Sequence, residues 1–172
     1  MHIEKFIDYN NYQVFKKLTR WDNDPEIKHL IRPRMSEKEL DILTVEVEME
    51  SAKANATKHI YLLYDVYKLI GSYSIDTDFE HRINKKDVTA WIGLVIGDKD
   101  YRGKGLGKIM MQDIEKECVK LGCDFIELGV FDFNKHAASL YHKMGYEIIG
   151  VIPDFVYHDG KWCDDIRMLK KL

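Results

Sequence analysis

Tyr101-Arg102-Gly103-Lys104-Gly105-Leu106-Gly107 joins a strand to a helix. Ahead of it, Trp91-Ile92-Gly93-Leu94-Val95-Ile96 is an unbroken apolar run. Behind it, apolar side chains fall at Leu106, Ile109, Met110, Ile114, Cys118 and Leu121, in steps of three and four that lay one buried stripe along a helix. Gly122 supplies the stop. The helix thus starts among three glycines and the cations Arg102, Lys104 and Lys108, where the macrodipole is already positive and cations are disfavoured. A negative guest resolves the conflict. Glycines remove side-chain bulk so that backbone N–H groups can point at a phosphate, and the unpaired N–H groups of the first helical turn complete the cradle. A diphosphate fits such a cradle.

The loop has neither the Gly-x-Gly-x-x-Gly register of dinucleotide folds nor the Gly-Lys-Ser/Thr ending of nucleoside triphosphate loops. Its Arg-x-x-Gly-x-Gly pattern resembles the acyl-CoA loop of the GNAT family of N-acyltransferases. A second stretch agrees. Asn134 closes the apolar run Phe125 to Phe131, and Ala137, Leu140, Tyr141 and Gly145-Tyr146 follow, which is similar to the family's second motif. Ile96-Gly97-Asp98-Lys99-Asp100-Tyr101 looks most like the branch with ribosomal-protein and polyamine acetyltransferases. The likeness covers roughly residues 58 to 172 and is weak over the first fifty.

The resemblance implies an α/β fold with a mixed, mostly antiparallel sheet splayed between its fourth and fifth strands and flanked by helices. It also implies an N-acetyltransferase that moves an acetyl group from acetyl-CoA to a primary amine of a small molecule or peptide, directly in a ternary complex. Leu94, Val95 and Ile96 would line the pantetheine arm. Arg102, Gly103, Lys104, Gly105, Leu106, Gly107 and Lys108 would hold the pyrophosphate. Asn134 would contact the arm, although an asparagine there is also a preferred helix N-cap. Tyr141 would stand beside the thioester sulfur as general acid, or pack as a core aromatic in the stripe Ala137, Leu140, Tyr141, Met144. The positions where family branches carry a basic glutamate fall on Trp91 and Gly129, and neither can accept a proton. Glu127 shares a strand face with Gly129 and is one candidate base; a chain of waters is the other. The same two positions permit a second function, a CoA-binding sensor without turnover. A nucleotide-binding protein using the glycine loop is a third.

Composition narrows the classes further. A chain of 172 residues fits one domain, residues 1–172, with a core that needs neither disulfide nor metal. Three cysteines at 118, 123 and 163 read as reduced thiols of a cytoplasmic protein. Nothing approaches the ~18 apolar residues of a membrane span, and the first residues do not read as a leader. A net charge of −3 without a long basic run speaks against nucleic acid as partner. Seven histidines show no ligand spacing, so no metal is expected. Family habit allows a homodimer through the last strands.

Local signals predict strands at Ile3–Ile7, His59–Tyr64, Lys68–Thr77, Val88–Ile96, Asp124–Phe131, Tyr146–Ile152 and Trp162–Leu169, the last two joined by a turn at 158–161. They predict helices at Asn11–Trp21, after the loop, and at Asn134–Met144. Ser36 with Glu39 forms a capping box for a helix running to about Ala54. Acidic residues gather at Glu37, Glu39, Asp41, Glu46, Glu48 and Glu50, and again at Asp76, Asp78 and Glu80. By resemblance these segments shape the acceptor pocket, where carboxylates would suit a cationic amine; as a charged helix face they need no such role. Tyr157 and Trp162 would wall the pocket or pack.

Overall fold

The computed structural model describes residues 1–85 and 87–172. The strands are β1 (His2–Phe6), β2 (Lys58–Asp65), β3 (Lys68–Asp76), β4 (Thr89–Val95), β5 (Phe125–Phe131), β6 (Glu147–His158) and β7 (Lys161–Lys171). The helices are α1 (Tyr12–Asp22), α2 (Lys28–Ile31), α3 (Val45–Ala54), α4 (Leu106–Lys120) and α5 (Lys135–Lys143). The strands form one sheet in the order β1-β2-β3-β4-β5-β7-β6. All neighbours are antiparallel except β4 and β5.

Helix α4 covers one face. Met110, Met111, Ile114 and Cys118 are fully buried against Ile75, Ile92, Ile126 and Leu128, each large apolar side chain contributing roughly 1.5–3 kcal/mol by leaving water. The buried stripe is rotated slightly from the one read in sequence: Met111 is in the core, while Ile109 is 47% exposed. Gly122, at φ 77°, ends the helix with the bonds Gly122 N–H to Val119 O (3.0 Å) and Cys123 N–H to Cys118 O (3.0 Å). Helices α1 and α3 cover the other face at the β1–β2 end, through Phe6, Phe15, Ala52, Ile60 and Leu62. Asn11 caps α1 by accepting from Val14 N–H at 3.2 Å.

Two close approaches tie these layers to the glycine loop. Trp21, 3% exposed, presses its indole on Gly97, where a Cβ would lie 1.8 Å from the ring. Only glycine fits there. At Gly107 a Cβ would meet Leu140 Cδ2 at 3.0 Å, so the first turn of α4 lies against α5.

The helix expected from Ser36 starts at Val45 instead. Thr44 is its cap, accepting from Val47 N–H at 3.4 Å. Upstream, the Ser36 hydroxyl closes a local turn with Lys38 N–H at 3.3 Å, and the Arg34 guanidinium takes the carbonyls of Glu37 and Lys38, which a helix would need for its own ladder. Strand β6 runs six residues further than expected, to His158, across register shifts at Ile148/Gly150 and Ile152/Val156. Asp159 (φ 49°) and Gly160 (φ 78°) make the tight β6–β7 turn.

Candidate active site

The wedge in the sheet sets the site. Strands β4 and β5 pair only from Thr89–Phe125 to Trp91–Glu127. Past that point β4 stays bonded to β3 through Ser72–Val95 and β5 stays bonded to β7, so the two part and leave the far edge of Leu94 and Val95 open. A backbone edge of this kind can pair with an extended amide-bearing arm.

At the wedge's mouth stands the glycine loop. Gly103 and Gly105 hold φ of 74° and 79°, and none of the described residues comes within 4 Å of where their Cβ atoms would be. Among the described residues, no hydrogen bond is made by the N–H groups of Gly103, Lys104, Gly105, Leu106 or Gly107. These amides sit at the positive end of a 15-residue helix, with exposed Lys104 and Lys108 beside them. The cradle suits a pyrophosphate in geometry and charge.

Arg102 is a different kind of residue from the one expected. Its guanidinium donates to the carbonyls of Ile96 (3.1 Å) and Gly97 (2.8 Å) and to the carboxylates of Asp24 (3.1 Å) and Glu26 (3.0 Å), and its own N–H goes to Lys99 O. Its charge is spent on the chain, so it staples the end of β4 to the α1–α2 link and positions the loop from behind. The exposed cations at the mouth are Lys104, whose ammonium lies 5.4 Å from the centroid of the Tyr101 ring, and Lys108.

Asn134 caps α5, accepting from Ala137 N–H at 3.2 Å. Seven residues on, Tyr141 packs half-buried against the main core beside Leu140 and Met144, its ring 6.1 Å from that of Tyr146. Among the described residues its hydroxyl makes no hydrogen bond. Burial pushes the phenol up to about 12, so it keeps its proton at any physiological pH.

Glu127, expected as a base reaching the cleft through water, is 0% exposed and already engaged. Its oxygens accept from Ile83 N–H (2.7 Å) and Asn84 N–H (2.8 Å), and Arg167 Nη1 lies 3.4 Å away. It anchors the loop between β3 and β4. Glu127→Ala should therefore destabilise the fold by about 3–5 kcal/mol in denaturant unfolding, since two N–H groups lose their acceptor and buried Arg167 loses one of its two carboxylates. Proteolysis of that variant should concentrate in residues 77–88.

The carboxylate that sequence reasoning missed is Asp165, 2% exposed on β7 opposite Phe131. Its Oδ2 accepts from Arg167 Nε at 2.6 Å, while its buried Oδ1 has no hydrogen-bond partner among the described residues. A Cβ on Gly129 would lie 2.7 Å from that Oδ1 and 3.0 Å from the Trp91 ring. Asp165 thus occupies the space that a side chain at 129 would take. Burial raises its carboxyl above the ordinary range, with Arg167 opposing and Glu127 adding to the rise. Alternation along Cys163, Asp165 and Arg167 placed an acid and a base on one inward face, a signal open to reading only once β7 has a partner.

Among the described residues, three of the nine clustered acidic side chains have partners in the chain. Asp76 accepts from Asn55, Thr57 and Asp78 N–H, Asp78 pairs with Arg82, and Glu39 pairs with Arg34. Glu46 and Glu48 lie in the first turn of α3, where the helix dipole favours them.

Comparison with known proteins agrees with this geometry. Residues 17–146 match the model of the acetyltransferase (GNAT) family. The chain is 31% identical over 111 residues to spermine/spermidine N(1)-acetyltransferase of Bacillus subtilis strain 168, covering 63% of this chain and 72% of that one. Among solved structures, the ribosomal-protein-alanine N-acetyltransferase of Brucella melitensis superposes at TM-score 0.75 with 13% identity over the whole of both chains. The protein yncA from Salmonella typhimurium, solved with its cofactor acetyl-CoA, gives 0.75 with 14% identity over 100% of this chain and 94% of that one. Loop, wedge, capped α5 and family match converge, and the chain belongs to the GNAT family of acetyltransferases.

Proposed function

We propose that this acetyltransferase carries an acetyl group from acetyl-CoA directly to a primary amine of a small molecule or peptide, both bound at once in the β4–β5 wedge. The observation that carries the reading is the row of unpaired N–H groups from Gly103 to Gly107 at the positive end of α4. When bound, acetyl-CoA supplies the activated acyl group. The loop amides with Lys104 and Lys108 grip its pyrophosphate, the open edge of Leu94 and Val95 with Asn134 aligns its arm, and Tyr141 offers a neutral phenol at the sulfur. Asp165 takes the amine's proton through a bridging water, in the role first assigned to Glu127. Direct transfer is supported by the cysteines: burial pushes the thiols of Cys118, Cys123 and Cys163 up, against a thiolate nucleophile. Reduced buried cysteines also fit a cytoplasmic setting, and no helix among the described residues is long and apolar enough to cross a membrane.

Gly105→Val tests the cradle. Open space surrounds this residue, so the added side chain strains only its own positive φ, by about 1–2 kcal/mol, and blocks the amides. Calorimetry should show CoA affinity reduced at least ~10-fold, far beyond what a small drop in melting temperature explains. Unchanged CoA binding in a folded variant removes the loop from the proposal.

A further inference from the structure

A second concave surface lies between α2, the segment leading to α3, the β5–α5 connection and the β6–β7 hairpin. Phe133, in its wall, immediately precedes Asn134, the cap of α5. Its rings are stacked: His158 lies on Phe133 at 4.1 Å and on His29 at 4.9 Å with planes 6° apart. The cavity is about 60 Å³, room for a small head group.

The charge of this lining runs opposite to the expectation drawn from the acidic clusters. Lys28, Arg32 and Arg34 line it against one carboxylate, Glu39. Glu39 is shared, at 3.8 Å from Lys28 and 3.2 Å from Arg34. Arg32 bonds only neutral acceptors, the carbonyls of Asp22 and Asp41 and the amide oxygen of Asn23. Within the lining, three cations less one carboxylate leave two positive charges in a chain whose net charge is −3, with the Asp22 carboxylate acting on Arg32 from outside the lining. Such a pocket repels an ammonium group and attracts an acid.

We infer that the amine acceptor carries an acidic head group, a carboxylate or a similar small oxyanion, held between Lys28, Arg32 and Arg34 and bedded on the His29–His158–Phe133 stack. This rests on the acetyl-transfer reading for the fate of the amine, but the pocket's preference can be measured without turnover. Polyamines, with cations at every end, are poor occupants. The stack gives a flat apolar floor for the atoms next to the acid, and the free amine then extends along the wedge.

The test is calorimetric titration of CoA-loaded protein with matched pairs: amino acids, and the amines left by their decarboxylation, with spermidine as the polyamine. The acid member of at least one pair should bind at least ~10-fold more tightly than its amine and than spermidine. Lys28→Glu should abolish that preference while CoA affinity and melting temperature hold; Lys28→Gln should weaken it and covers the case in which charge reversal beside Glu39 unfolds the segment. Equal or tighter binding of the amines, or a preference that survives both substitutions, overturns the inference. Thiol release is read separately. Acid bound with no thiol released from acetyl-CoA would retire the acetyl-transfer reading and still support the pocket.

Discussion

Tyr141→Phe should lower turnover by about 10²–10⁴ while leaving CoA affinity within ~2-fold of the parent. The substitution removes one oxygen from a half-buried ring whose packing against the core is otherwise kept, so the fold has little reason to respond. On the proposed mechanism, what it removes is the proton donor for the departing thiolate. A phenol pushed up to about 12 is a reluctant acid toward an ordinary thiolate near ~8.5 in water, and full transfer between those values would run uphill. The mismatch narrows inside the wedge, because the dryness that raises the phenol also raises a thiol, as burial does for Cys118. A neutral donor fixed before the reaction is thus matched to a sulfur that becomes more basic as it leaves. Steady-state thiol release and CoA titration on the same preparation check this. Unchanged turnover would take Tyr141 out of the mechanism and return it to the core stripe.

The order of strands and helices was legible in the sequence because apolar periodicity switches cleanly between two and three-to-four residues, and because glycines mark the stops at 122, 145 and 160. The wedge was foreseen only through family resemblance, since side chains say little about where two parallel strands stop pairing. Where reading from sequence went astray, the competing partner was distant or had the choice of two bonds. Ser36 looked like a helix cap, yet the carbonyls that a helix would need were taken by Arg34. Arg102 looked like a phosphate ligand, yet its carboxylate partners lie 76 and 78 positions upstream in Glu26 and Asp24. The acidic clusters read either as an acceptor wall or as a charged helix face, and in the fold Glu39, Asp76 and Asp78 have partners within the chain while Glu46 and Glu48 sit in the first turn of α3. Strand alternation put Glu127 on the face of Gly129 as a candidate base; in the fold its oxygens accept from the N–H groups of Ile83 and Asn84, partners 44 and 43 positions away.

Asp165→Asn should give the other large effect, a fall in turnover of about 10²–10⁴ near neutral pH that shrinks as pH rises. The reasoning begins with Gly129. Because it has no side chain, the carboxylate on the neighbouring strand can enter its space, with one oxygen tied to Arg167 and the other, among the described residues, without a hydrogen-bond partner. An ionised Asp165 is destabilised by burial, so its folded pKa lies above the unfolded one. Its favourable contribution to stability is present below the ordinary carboxylate pKa and lost as pH rises through the folded value. Asparagine resembles the protonated form, and Arg167 keeps Glu127 and the His81 carbonyl, so the variant should fold with unaltered CoA binding. In the parent, kcat/KM should climb with pH through the raised pKa as the carboxylate ionises and becomes able to accept a proton. In the variant that limb should vanish, and the rate should instead follow the supply of free amine, recovering toward pH 10 as the acceptor, with a pKa near ~10.4, loses its proton to solvent. A merely structural role predicts the same proportional loss at every pH. A uniform deficit would assign the proton to water alone and leave Asp165 as a partner of Arg167, whereas a deficit that opens as pH rises through the raised carboxyl pKa and closes again toward pH 10 identifies the carboxylate as the group that makes the nucleophile.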